Sequence, residues 1–238
     1  MLLLLQPDQP HSRDRLASKL WPDDPPAHGR RLLSDALYRL RQTIPEPWLT
    51  SQTEAITLHT QPDLWVDVWA FRQLAQATEE NKLAEAAALY RGDLVPELDD
   101  AWLHPWREQL REEMTAVLHQ LAETAENQRH FTQAQQLYGR LLTLDELDEP
   151  AHRGQMRCLA GQGRLKEAIA AYDTLTQLLQ QELHLPPHAA TQHLAQQLQA
   201  EWELQKQALI EPNQTPFVGR VAERNQLLAR LDEAHAGR

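Results

Sequence analysis

Four arginines, a tyrosine and a serine recur within twelve residues: Arg30, Arg31, Ser34, Tyr38, Arg39 and Arg41. Guanidinium and hydroxyl groups donate hydrogen bonds to phosphates and base edges, so the chemistry on offer is recognition of a nucleic acid rather than bond making. Ser51 and Thr53, a short way downstream in a polar turn, add donors for phosphate oxygens. Whether these groups converge depends on the elements that carry them. Set at about 100° per residue, the stretch from Ala27 to Ile44 is an amphipathic helix. Leu33, Ala36, Leu37, Leu40 and Ile44 fall on one side, with Leu32 at the edge, and predict a buried face. Arg31, Ser34, Asp35, Tyr38, Arg39 and Gln42 fall on the other, flanked by Arg30 and Arg41. That face suits a major groove, although the same residue types also suit a solvated structural helix.

The neighbouring stretches favour the first reading. Ser12 is a plausible N-cap for a shorter amphipathic helix with Leu16 and Leu20 inward, ending at Pro22. The linker PDDPPAHG joins the two helices as a helix-turn-helix. Pro45 and Pro47 stop the second helix. Trp48-Leu49-Thr50, Ala55 to His59 and Leu64-Trp65-Val66 then follow as short β-prone runs between polar turns. A hairpin after a helix-turn-helix is the plan of a winged helix. Leu2 to Leu5 reads as the tail of an apolar helix, since a lone half-turn buries little; either the chain begins upstream or this winged helix is abbreviated.

Beyond a helix expected from Asp67 to about Thr78, with Val68, Phe71, Leu74 and Ala75 on one face, a pattern recurs. Leu83, Ala86 and Tyr90, then Phe131, Ala134 and Tyr138, then Leu165, Ala168 and Tyr172 share one spacing, and the last two copies lie 34 residues apart. That is the period of tetratricopeptide helix pairs, in which the small residue permits close approach and the tyrosine fills the groove to the next helix. Partner helices are predicted from Met114 to Gln128 and from Ala151 to Gln162, the latter opened by Pro150 and closed by Gly161 and Gly163. Trp102 and Trp106 flank a helix-starting Pro105 and are either a docking surface or anchors for the preceding loop. Pro186 and Pro187 separate the last repeat helix from a capping one.

Composition narrows the function classes. The 238 residues are 42% apolar and 24% charged with 8 glycines, which describes a helical globular protein. The net charge is −11, but residues 1–75 carry 8 basic and 9 acidic groups, so most of the acid lies in residues 76–238. Within residues 11–44 the balance is 7 basic to 4 acidic. A local basic face therefore sits on an acidic chain, and binding would rest on specific contacts or dimerisation rather than bulk phosphate attraction. No apolar run is long enough to span a membrane. Cys158, the one cysteine, suits a buried position and a cytoplasmic setting. His184 and His188 are separated by Pro186 and Pro187, and His188 and His193 have no cysteine or carboxylate pattern, so no metal site is expected. The acidic turn Asp145, Glu146, Asp148, Glu149 is a solvated turn or a surface for a basic partner. With no nucleophile elbow and no phosphate-binding loop, neither catalysis nor a cofactor is expected.

Several segments resemble a known family. LLLLQPDQPHSRDRLASKLWPDDPPAHGRRLLSDALYRLRQ, WLTSQTEAITLH and LWVDVWAF resemble the winged-helix half of SARP-type bacterial transcriptional activators. ALYRGDLVPEL, WLHPWREQLREE and the two later repeats through LTQLLQQELHLPP resemble their bacterial transcriptional activator domain, a tetratricopeptide-like helical module. Phe217-Val218-Gly219-Arg220 with Glu223 is similar to the lead-in of a STAND-type ATPase, whose nucleotide-binding loop would lie beyond Arg238. The resemblance implies a mostly α protein. Residues 1–68 would form a winged helix lacking its first strands and most of its first helix, and 69–198 the helical repeat domain. A linker over 199–215 and a truncated ATPase lead-in over 216–238 would follow. It implies a transcriptional regulator that binds double-stranded DNA through Arg30, Arg31, Ser34, Tyr38, Arg39, Arg41, Ser51 and Thr53. Its helical domain would serve dimerisation or contact with RNA polymerase, and no nucleotide would be bound. The alternative is a repeat module that binds a protein or peptide and no longer binds DNA.

Overall fold

The computed structural model describes residues 2–44 and 46–210, together with 225, 226, 228 and 230. The chain falls into two units, residues 1–158 and 159–238. Among the described residues the fold is mostly helical, with one small sheet near the N-terminus.

In the first unit the sequence runs α1 (Leu2–Leu5), β1 (His11–Ser12), α2 (Arg13–Leu20), α3 (Pro26–Thr43), β2 (Leu49–Ser51) and β3 (Ala55–Leu58). The Ser12 side chain accepts from the Arg15 amide at 3.5 Å and caps α2, as its position predicts. Pro26 stands at the start of α3, where a missing amide hydrogen costs nothing. The sheet is antiparallel in the order β1-β3-β2, with Leu49 opposite Leu58 and His11 opposite Ile56. Alternation along the hairpin turns Leu49, Ile56 and Leu58 inward, onto Leu16, Ala17, Leu33 and Leu37 of the two helices. Each fully buried leucine or isoleucine contributes roughly 1.5–3 kcal/mol.

Three expectations for this region are corrected. Leu64-Trp65-Val66 forms no strand; its place in the sheet is taken by His11–Ser12, which pairs with β3 across more than forty residues of sequence. Ala36 and Leu40 are exposed rather than buried, because α2 covers only the first part of α3. The half-turn Leu2–Leu5 does bury itself: Leu5 is buried and Leu2, Leu3 and Leu4 pack against the same core. Leu20 points inward as expected, packing half-buried against that core at the end of α2.

The helical part of the first unit comprises α4 (Asp67–Ala75), α5 (Glu80–Leu89), α6 (His104–Asn127), α7 (Phe131–Leu144) and most of α8 (Glu149–Gly161). The helix predicted from Met114 begins at His104 instead. Pro105 sits in its first turn and no glycine or proline interrupts residues 106–127, so nothing stops one helix of 24 residues. A second core runs along it, from Phe71, Leu83 and Ala86 past Met114 and Leu118 to Ala134 and Tyr138. Trp102 and Trp106 are half-buried, and the Arg72 guanidinium lies 5.5 Å from the Trp106 ring, so they are anchors rather than an open docking surface.

In the second unit α9 (Leu165–Glu182) packs on α10 (Ala189–Ile210), with Leu175, Leu179, Ala195 and Leu198 buried. Gly163 takes a left-handed φ of 77° in the turn before α9, a conformation that favours glycine. The linker expected from residue 199 opens as a continuation of α10 to Ile210. Pro45 and the Phe217 to Glu223 lead-in lie outside the described residues; of the helix expected from Ala222, residues 225, 226, 228 and 230 are helical.

Candidate nucleic-acid interface

The packing of α3 on α2 decides which side chains point away. Gly29, buried in the first turns of α3, lies over Ala17, while Leu33 and Leu37 enter the core below. The face opposite carries Arg31, Asp35, Tyr38, Arg39 and Gln42, all exposed, with Arg41 beside them and Tyr38 at 68% of its full exposure. Arg31, Arg39 and Arg41 make no ion pair among the described residues. Three cations outside any ion pair, one carboxylate (Asp35) and a phenol thus share one side of one helix, a net positive face.

Three other expected contact residues are engaged within the protein. Arg30 forms a two-armed pair with Asp14 of α2 at 2.5 and 2.6 Å. That hydrogen bonding lowers the Asp14 carboxyl and raises the Arg30 guanidinium, and its charge is offset where it stands. Ser34 donates to the Arg30 carbonyl at 2.9 Å and accepts from Arg13 at 2.9 Å. The other arm of Arg13 reaches the Ser51 hydroxyl at 3.0 Å. Ser34 and Ser51 are therefore brought together, through a residue that sequence reasoning did not single out. Arg13 is the first residue after the N-cap of α2, and its amide also donates to the Glu54 carbonyl. It fixes α3 to the hairpin, with exposed Thr53 in the turn between β2 and β3. Only the proximity of Arg13 to Ser12 hinted at it.

The nine repeat positions separate by type. Ala86, Ala134 and Ala168 are wholly buried, as close helix approach requires. Leu83 and Leu165 are buried and Phe131 is partly so. The tyrosines differ: Tyr138 is 1% exposed, whereas Tyr90 and Tyr172 are half-buried. Tyr138 inserts because Gly154 of α8 has no side chain; a Cβ there would lie within the Tyr138 ring. Its hydroxyl donates to Glu126 at 2.7 Å, and Arg157 grips the same carboxylate at 2.5 and 2.8 Å. Burial, followed by that bond, pushes the Tyr138 hydroxyl well above its ordinary range. Tyr90 instead packs against Phe71 with ring centres 5.9 Å apart, at the edge of an open loop. Among the described residues no group of three or more His, Cys, Asp or Glu could hold a metal, and no helix is long and apolar enough to cross a membrane.

Residues 66–199, which run from the start of α4 into α10, match the family described as the bacterial transcriptional activator domain. The chain belongs to that family. The structure is similar to that of Mycobacterium tuberculosis EmbR in complex with a low-affinity phosphopeptide, with a TM-score of 0.73 and 20% identity. The match covers 84% of this chain and 57% of EmbR, so this chain spans little more than half of that protein's length. A weaker likeness joins it to the C-terminal TPR-containing domain of a Plasmodium falciparum FK506-binding protein, with a TM-score of 0.45 and 15% identity, over 60% of this chain and 97% of that one. No curated protein matches the sequence. The activator-domain segment accounts for all three repeat copies and leaves α1 to β3, with the arginine-bearing helix, in front of it.

Proposed function

We propose that this chain regulates transcription by binding double-stranded DNA through α3 and the β2–β3 hairpin, as a SARP-type activator. The observation that carries the reading is the outward face of α3, where Arg31, Tyr38, Arg39 and Arg41 stand exposed, the arginines outside any ion pair among the described residues, beside a hairpin that Arg13 holds in place. Arg31, Tyr38 and Arg39 reach base edges in the major groove; Arg41 and Thr53 hold phosphates, and Arg30, Ser34 and Ser51 work mainly by fixing α3 and the hairpin. Membership of the activator-domain family supports the regulatory role. The helical repeats then join two copies of the chain or contact RNA polymerase. The acidity of residues 76–238 limits nonspecific attraction to DNA, leaving affinity to specific contacts and to pairing of copies.

The test is recovery and sequencing of random genomic DNA fragments retained by the protein at two salt concentrations. A repeated half-site, retained less as salt rises, is the expected result. The double variant Arg31→Ala, Arg39→Ala should weaken specific binding by about 2–6 kcal/mol if both arginines read base edges. Unchanged affinity would remove α3 from the interface. No retention by folded wild-type protein would leave the alternative, a repeat module that binds a protein.

A further inference from the structure

The pair Trp65-Val66 and the half-buried Tyr90 are features that the proposed DNA recognition does not use. Both border one cavity of about 640 Å³ in the first unit. Its walls include Leu5 of α1, Phe71 of α4, Leu94 of the loop after α5 and Leu110 of α6, with Trp65 and Tyr90 adding two further aromatic surfaces. The cavity thus lies where α1, which packs on the first core, meets the helical repeats. The two are tied beside it by a 2.6 Å hydrogen bond from Trp69 Nε1 to the Leu4 carbonyl.

Size, rigidity and charge each bear on what would fit. A volume of this order lies within the range of roughly 300–1,000 Å³ for small organic ligands. A helix of about 10–12 Å diameter needs an open trough instead. One wall is held in shape before anything binds. Val95, a β-branched lining residue, has a φ of 45°, in the left-handed region. Arg107 fixes the loop by donating to the carbonyls of Leu94, Val95 and Leu98 at 2.9, 2.6 and 2.5 Å. Strain of this kind persists where the surroundings over-determine it, and a pre-formed wall saves ordering entropy on binding. The charged lining residues give no preference for either sign. Asp93 is engaged by Arg111 at 3.0 Å, and the remaining pair, Asp67 and Arg91, are opposite in charge and exposed. A charged guest would lose its hydration among apolar walls without a matching excess of counter-charge. The Trp65 ring and the packed Phe71–Tyr90 pair in the lining suit edge-to-face or offset stacking with another ring.

We propose that this cavity is a binding site for an uncharged aromatic small molecule. The probe is N-phenyl-1-naphthylamine, titrated into the full chain and followed by its emission, which rises in apolar surroundings. One saturable site per chain is expected. Trp65 is 68% exposed, so Trp65→Ala should leave helical content unchanged while weakening binding about three- to tenfold, as loss of one aromatic contact implies. Val68→Phe, which fills part of the space, should remove binding. Leu204→Ala, which deletes an exposed apolar side chain of α10, should leave the affinity as it was. No saturable signal from folded wild-type protein would overturn the proposal. Equal affinities in wild type, Trp65→Ala and a folded Val68→Phe, or a loss on Leu204→Ala, would overturn it too, by placing the dye elsewhere.

Discussion

Two glycines in the helical module should respond to alanine with opposite signs. At Gly154 the new methyl would occupy the Tyr138 ring, so the ring must leave its place. Tyr138 is 1% exposed and its hydroxyl is bonded to Glu126, which is itself gripped by Arg157, so movement also breaks a part-buried hydrogen bond. Overpacking costs about 1–3 kcal/mol and a buried polar group left unpaired about 1–3 more. A buried aromatic lost altogether costs about 3–5 kcal/mol, so Gly154→Ala should destabilise by about 3–5 kcal/mol. For a chain of this size that lowers Tm by roughly 6–20 °C. Gly139, next to Tyr138 on α7, has only the Gln155 side chain 3.9 Å from an added Cβ. Gly139→Ala should therefore stabilise by up to about 1 kcal/mol through helix propensity alone. Urea unfolding followed by circular dichroism would read both. In a Tyr138→Leu background, where room exists, the cost of Gly154→Ala should shrink. A Gly154→Ala change within about 0.5 kcal/mol of wild type would refute the reasoning, as would an undiminished cost in the Tyr138→Leu background.

Three further predictions concern neighbouring groups. Cys158 is wholly buried, and burial, followed by the Glu126 charge, pushes its thiol up to about 11. Ellman's reagent should leave it untouched in the native chain and react fully in urea; rapid native labelling would contradict its burial. For Glu126, burial is the largest influence and acts to raise the carboxyl, but hydrogen bonds from Arg157 and Tyr138 together outweigh it, so its pKa is lowered. The ionised form therefore stabilises the fold fully above the unfolded value near pH ~4.3, and that contribution fades as pH falls through the lower folded value. Glu126→Gln should cost stability at pH 7 and progressively less in acid; a difference that stays constant with pH would contradict this. Arg13→Ala should cost about 1 kcal/mol of stability yet weaken DNA binding, because α3 and the hairpin lose their link. Arg13→Lys lacks the two-armed fork and should not restore binding. Full recovery with lysine in a filter-binding assay would show that charge alone matters.

The parts legible in the sequence were those governed by local rules. Ser12 as a cap, Pro105 at a helix start and the alanines of the repeat each follow from one residue and its near neighbours. What stayed hidden depended on distant contacts. His11 and Ser12 look like a turn until Ala55 and Ile56 lie beside them. The apolar stripe of α3 predicts burial for Leu40, but a stripe cannot tell how far a partner helix extends, and α2 is 8 residues against 18. At the candidate interface the exposed arginines were visible from periodicity. Arg13 was not, because its role lies in two serines 21 and 38 positions away. The three tyrosines share a spacing, yet it is Tyr138 that meets a glycine across the helix pair, and no spacing within one helix encodes that.

The unbroken course of α6 has a dynamic consequence. At about 1.5 Å per residue its 24 residues extend for roughly 36 Å. It contacts α4 and α5 as well as α7, and residues from Leu110 to Ala125 belong to a single core. A repeat array with separate hairpins can fray one unit at a time from an end. Here the first hairpin and the second share one backbone ladder, so opening either one strips apolar cover from the other. Amide protons on both sides of α6 should then exchange with solvent as one cohort, a single foldon in place of two.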